Sequence, residues 1–181
     1  MRVDVHTHIW PERIAGAVLE SLVRDFGFDA IGLNTVEGVK AHMLSSGVDK
    51  SVVLGVVVRA DQVGRANDWL ISIQDEMLVP FGAMHPDLED KAAELRRLRR
   101  HGIKGIKLHP MMNRFYPDDP EMFPVYEEMA DTMVLEIHSG RLPRTGPGEP
   151  VYAAPKRIMN VVRQFPRLKV IALHLGGFYM L

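Results

Sequence analysis

The chain has 181 residues, 46% of them apolar, with 22 Lys and Arg against 23 Asp and Glu and a net charge of −1. That length buries one domain-sized core, and the balanced charge removes any electrostatic case for a nucleic-acid partner. With no cysteine there is neither a disulfide nor a thiolate metal ligand, so a reducing cytoplasm is the expected compartment; the apolar runs are too short for a bilayer, and no membrane partner is expected.

Short apolar runs alternate with helix-like segments along the whole chain. A first strand is expected at about residues 2–9, early enough to leave no room for a signal peptide. A helix then runs from Pro11 through Phe26, and a second over Val36–Ser46 stops at Gly47. The next strand is read at 51–58, followed by a helix at 61–76 with Trp69, Leu70 and Ile73 on its apolar face. A third strand spans 78–85, and the helix after it, 88–100, carries Leu88, Ala92, Leu95 and Leu98 inward and an arginine-rich face outward. The fourth strand is read at 103–109 and is followed by a Pro-rich loop. A helix at 120–131, a strand at 133–138, a long Gly/Pro-rich loop that reads as a lid, a helix at 156–165 and a sixth strand at 168–174 complete the order.

Strands rich in Val, Ile and Leu separated by helices read as a parallel sheet with crossover connections. Six of the eight histidines close such runs: His6 and His8, His85, His109, His138 and His174. Side chains at the carboxyl ends of barrel strands converge on one mouth. Six βα units fall short of the eight of a full barrel, so the expected fold is α/β, a TIM (β/α)8-type barrel truncated after strand 6, with residues 1–181 forming one partial domain. An open interior with unpaired edges is expected to make the chain self-associate, as a homo-oligomer or less specifically.

His6 and His8 stand two apart on a strand and therefore share a face. Two imidazoles so placed bind one divalent cation together, zinc first, with manganese or iron as alternatives. One HxH pair is a weak signal, but single histidines at two later strand ends, His138 in IHSG and His174 in ALHLGG, strengthen it. His42 and His101 fall on helical segments and read as surface residues.

VDVHTHIW, GIKLHP, IHSG and FPRLKVIALHLGG, in that order, resemble the amidohydrolase superfamily. The resemblance covers the whole chain. It is closest to the amidohydrolase-related branch that includes aminocarboxymuconate-semialdehyde decarboxylase and aromatic-acid decarboxylases. It implies that His6, His8 and His138 are metal ligands, and that His174 is a ligand or touches the metal-bound water as a catalytic group. The family also uses an aspartate after strand 8, a position that this sequence does not reach.

Lys107 shares parity with His109 and Gly105, so it is expected to face inward. In two-metal relatives a strand-4 lysine in a similar setting is carboxylated. The reading favoured here is an uncarboxylated, catalytic or substrate-binding lysine paired with Glu136, since a buried ammonium needs a partner. Asp4 is expected behind the histidines, holding one of them. His109 and Arg141 are read as substrate-binding, and Arg59, Arg114 and Arg144 also follow strand ends, where a bidentate clamp on a carboxylate is available. The expected function is a metal-dependent hydrolase acting on a small, carboxylated substrate through an activated water. Nonoxidative decarboxylation by a carboxy-lyase is the alternative, and an inactive metal-binding fragment is the alternative of another class. Histidinol-phosphatase-like domains and TatD-like nucleases also begin with HxH. The first use further motifs not recognisable here, and the second carry a glutamate where this chain has Lys107.

Overall fold

The computed structural model describes residues 1–27 and 32–180. Six strands, β1 (Val3–Thr7), β2 (Lys50–Leu54), β3 (Leu78–Ala83), β4 (Gly105–Leu108), β5 (Val134–Ile137) and β6 (Lys169–Ala172), form one sheet in sequence order. Every neighbouring pair is parallel. The helices are α1 (Glu12–Phe26), α2 (Val36–Ser46), α3 (Val63–Ser72), α4 (Lys91–Arg100), α5 (Pro110–Asn113), α6 (Phe123–Met129) and α7 (Pro155–Gln164). This is the truncated barrel expected from the alternation, a sheet curled through six of eight strands.

Period-two alternation sorts the side chains. On the outer face Ile106, Leu108, Leu135 and Ile137 pack with Leu95 and Leu98 of α4, Val125, Tyr126 and Met129 of α6, and Ile158 and Val161 of α7. Val53 and Leu78 meet Val39 and Met43 of α2 and Leu70 of α3. Each such fully buried aliphatic side chain is worth about 1.5–3 kcal/mol. On the inner face Val52, Leu54, Phe81 and Leu173 form a smaller cluster that fills the barrel beneath its mouth. Asn67 of α3, wholly buried, exchanges hydrogen bonds with both backbone groups of Ala83 (2.7 and 3.0 Å) and donates to Glu94 of α4, which ties the end of β3 to two helices.

Several boundaries differ from the sequence reading. The strands are shorter at their carboxyl ends; at the end of β6 the chain leaves the extended conformation, His174 having φ +56°. The helix expected at 61–76 is a 3-10 turn, Ala60–Gln62, followed by α3, which ends at Ser72. The Pro-rich loop contains α5, where Pro110 sits at the first turn and needs no N–H donor. Gly47 caps α2 in the left-handed conformation, as expected. β1 carries one irregularity: from Asp4 to Thr7 it takes three steps while β2 takes two, from Ser51 to Val53, so one residue is bulged. Asp4 folds back on its own strand, accepting from the His6 N–H (3.0 Å) and the Thr7 hydroxyl (2.7 Å).

The two edge strands remain open. Val3 and Val5 on β1 are 43% and 46% exposed, and Ile171 on β6 is 37% exposed. Among the described residues no helix is long and apolar enough to cross a membrane.

Candidate functional site

The carboxyl ends of the strands surround a cavity of about 530 Å³. Its floor holds His6, His8, His109, His138 and His174, from β1 and the residues that follow β1, β4, β5 and β6. Trp10, Leu22, Met112, Leu142 and Phe178 form much of its wall. The structure therefore brings together all four histidines expected to bind metal.

The rings form a chain. His6 Nε2 lies 3.0 Å from His8 Nε2, and His174 Nε2 lies 3.1 Å from His138 Nδ1. The ring centroids of His6 and His174 are 5.1 Å apart, which joins the two pairs. Two carbonyls decide two tautomers, since a carbonyl only accepts. His8 Nδ1 donates to Leu54 O (3.2 Å), leaving its Nε2 lone pair free; His138 Nε2 donates to Arg141 O (3.3 Å), leaving Nδ1 free. Such an outward N–H bond orients a metal-binding imidazole and fixes which nitrogen is offered.

All these rings are neutral at pH 7. Burial, then the Lys107 ammonium, lowers His6 to about 4 and His8 and His138 to about 3. His174 is lowered by the same two causes, and His109 by burial, His138 and Lys107 in turn. Neutral imidazole is the form that ligates a cation. Two nitrogens on one tetrahedral zinc stand ~3.3 Å apart, close to the separations within each pair. The donor set thus fits a divalent cation chemically. Among the described residues, however, no three His, Asp or Glu side chains converge on one point; the histidines meet as two pairs.

His109, at the start of α5, stacks on His138 at 4.5 Å with an interplanar angle of 13°, and its buried Nδ1 has no partner among the described residues. Lys107 and Glu136 lie opposite one another in register on β4 and β5, 2% and 0% exposed, while Leu108, Leu135 and Ile137 face the helices as expected. Burial pulls Lys107 down and pushes Glu136 up, each to about 7, against their mutual attraction. Among the described residues neither Glu136 oxygen has a hydrogen-bond partner. Lys107 lies beneath the rings, not in the cavity wall.

Among the described residues none of the loop arginines lines the cavity with its side chain. Arg59 pairs with Asp61 through two 2.8 Å bonds, Arg114 is exposed at the left-handed end of α5, and Arg144 reaches across to Asp25 and the Arg24 carbonyl of α1. Arg141 meets the site through its main chain, accepting from His138 and donating to Phe178 O (2.8 Å). His85 is buried at the end of β3, where its Nδ1 accepts from the Asp87 N–H. His42 and His101 are exposed.

Residues the sequence reading passed over hold the site in shape. The Ser139 hydroxyl donates to the Gly176 carbonyl, and Phe178 N donates to Ser139 O (2.9 Å), so IHSG and LHLGGF lock together. Gly140 has φ +95°, and a Cβ there would stand 2.2 Å from Phe178 N, which is why glycine follows the serine. His174 and Leu175, both at positive φ, are strained within this turn. The one signal available was the density of Gly and Ser around the two histidines.

Three solved structures share the fold. An amidohydrolase II matches at 17% identity with a TM-score of 0.67, over 97% of this chain and 67% of its own. A 2,6-dihydroxybenzoate decarboxylase bound to 2,6-dihydroxybenzoate matches at 16% and 0.66, over 97% and 66%. A 4-oxalomesaconate hydratase from Rhodopseudomonas palustris matches at 18% and 0.63, over 98% and 64%. The chain thus spans about two thirds of the length of these proteins. No curated protein sequence matches it. The amidohydrolase family model matches residues 3–180, nearly the entire chain, and with the histidines of β1, β5 and β6 gathered at one mouth, the chain belongs to the amidohydrolase family.

Proposed function

We propose that this chain carries the metal-binding part of a hydrolase, with His6, His8, His138 and His174 holding a divalent cation, zinc first. The observation that carries the reading is the tautomer pattern: carbonyls of Leu54 and Arg141 take the outer N–H of His8 and His138 and leave a lone pair on each ring directed at its neighbour. Those four histidines would hold the cation, which would supply Lewis acidity for activating a water and polarising a scissile carbonyl. The protein's own part is to orient the rings, keep them unprotonated and exclude water. Trp10, Leu22 and Leu142 roof the site, and His109 stands on the floor as a neutral hydrogen-bonding group for the substrate. Lys107 acts from beneath as a positioning charge, disfavouring protonation of every ring above it.

Nonoxidative decarboxylation is the second reading. It needs the same ligands and a proton delivered to carbon, and Lys107, brought to about 7 by burial, is the group able to relay one through the rings.

Calorimetric titration with Zn2+ tests the metal assignment, with His8→Ala and His138→Ala as comparisons. One equivalent is expected, with each variant weakened by more than ~100-fold, beyond the loss seen when only an outer partner of a ligand is removed. Affinity in both variants equal to that of the parent, or no binding in the parent, sinks the assignment. A screen of amides, lactones and carboxylated aromatics on the loaded protein then separates hydrolase from carboxy-lyase.

A further inference from the structure

The cavity has two unlike halves. Its floor is a set of imidazoles, from His6, His8, His109, His138 and His174. Above them the lining side chains are mainly apolar and none is charged among the described residues: Trp10 after β1, Leu22 from α1, Val56 after β2, Met112 from α5, Leu142 in the loop after β5, and Phe178 after β6, next to the exposed Tyr179. Among the described residues no arginine or lysine side chain lines the cavity; Arg59 is held on Asp61 and Arg144 on the end of α1.

A charged substituent pressed against such walls loses its hydration and gains no partner. An apolar body gains free energy from the same contact, and a ring gains more by packing on Trp10 and Phe178. The volume, about 530 Å³, suits a small cyclic molecule. A polar head is satisfied at one end only, over the histidines.

We propose that this site selects a compact ligand with one polar, reacting head and an uncharged aromatic or aliphatic body, and discriminates against a carboxylate carried on that body. The nature of the head rests on the metal-dependent reading above; the selectivity for the body does not.

Two titrations separate these parts. The metal-free chain carrying Trp69→Phe leaves Trp10 as its one tryptophan, and its fluorescence is followed against acetophenone and 4-acetylbenzoate. Saturable quenching by acetophenone, with 4-acetylbenzoate at least about tenfold weaker, is expected. Equal or tighter binding of the carboxylate, or no saturation by acetophenone, overturns the proposal. If Trp69→Phe does not fold, calorimetry on the unaltered chain reads the same ratio. In the second titration the Zn2+-loaded chain meets benzohydroxamate and acetohydroxamate, which share a head and differ in the body. Benzohydroxamate is expected to bind about tenfold tighter or better, and equal affinities overturn the proposal. If neither hydroxamate binds while acetophenone still saturates, the metal reading falls and the selectivity for the body stands.

Discussion

His8 has one ring nitrogen committed to the Leu54 carbonyl and one left for the cavity, and the behaviour of the site in acid follows from that division. His6, His8 and His138 titrate at about 4, 3 and 3 in the folded chain against 6.5 when unfolded. Below pH 6.5 the unfolded chain therefore binds more protons than the folded one. Stability is full above that pH and falls as the pH drops toward the folded values, at up to about 1.4 kcal/mol per pH unit for each imidazole. Urea melts of the metal-free chain from pH 7.5 to 4.5 are expected to show a monotonic loss, steeper than in the His8→Ala variant. A flat profile would mean that these rings are solvated. Lys107 and Glu136 invite a second experiment, because each is buried and neither carboxylate oxygen is hydrogen-bonded. Lys107→Met is expected to destabilise by about 3 kcal/mol, since it strands the acid, whereas Lys107→Met with Glu136→Leu is expected to be as stable as the parent or more so. Equilibrium unfolding of both decides it, and a double variant weaker than the single would show that the pair is a true stabilising bridge.

The β5–β6 connection shows how two loops build one site. Gly140 lets the chain after β5 pass against Phe178, and Ser139 grips the turn that holds His174 at positive φ. Gly140→Ala is expected to lose about 1–3 kcal/mol from strain and to weaken Zn2+ binding as well, because the His174 turn must shift. A thermal melt and a metal titration matching the parent would refute this coupling. Such contacts could not be read from sequence, where His138 and His174 stand 36 residues apart and nothing marks Phe178 as a partner. The strands themselves were legible, because Val, Ile and Leu runs bounded by helical periods have few alternative folds. So was the inward set, since alternation from His109 and His138 places Lys107 and Glu136 without further information. The bulge between Asp4 and Thr7 was not legible, because pairing register depends on the neighbouring strand. Neither was α5, whose prolines read as loop. The apolar wall escaped for a different reason: Trp10, Met112 and Phe178 look like ordinary core residues until the barrel mouth brings them together.

Viewed whole, the sheet has two unpaired edges carrying Val3, Val5 and Ile171 in partial exposure. Open strand edges bearing apolar side chains pair with other chains. Residues 1–181 are expected to sediment as a distribution of oligomers at micromolar concentration, and Val5→Lys to shift that distribution toward monomer. A monodisperse monomer in the parent would show that the edges are protected. The strand order has another consequence. Each strand pairs with the one made just before it, so the sheet can lengthen as the chain leaves the ribosome, and every pairing step spans only one crossover. The histidine cluster is different, because His6 and His8 come from the first strand and His174 from the end of the last. A metal ion that requires all of them meets its ligands only after the sixth strand has docked, so cation capture would follow the assembly of this sheet and not precede it.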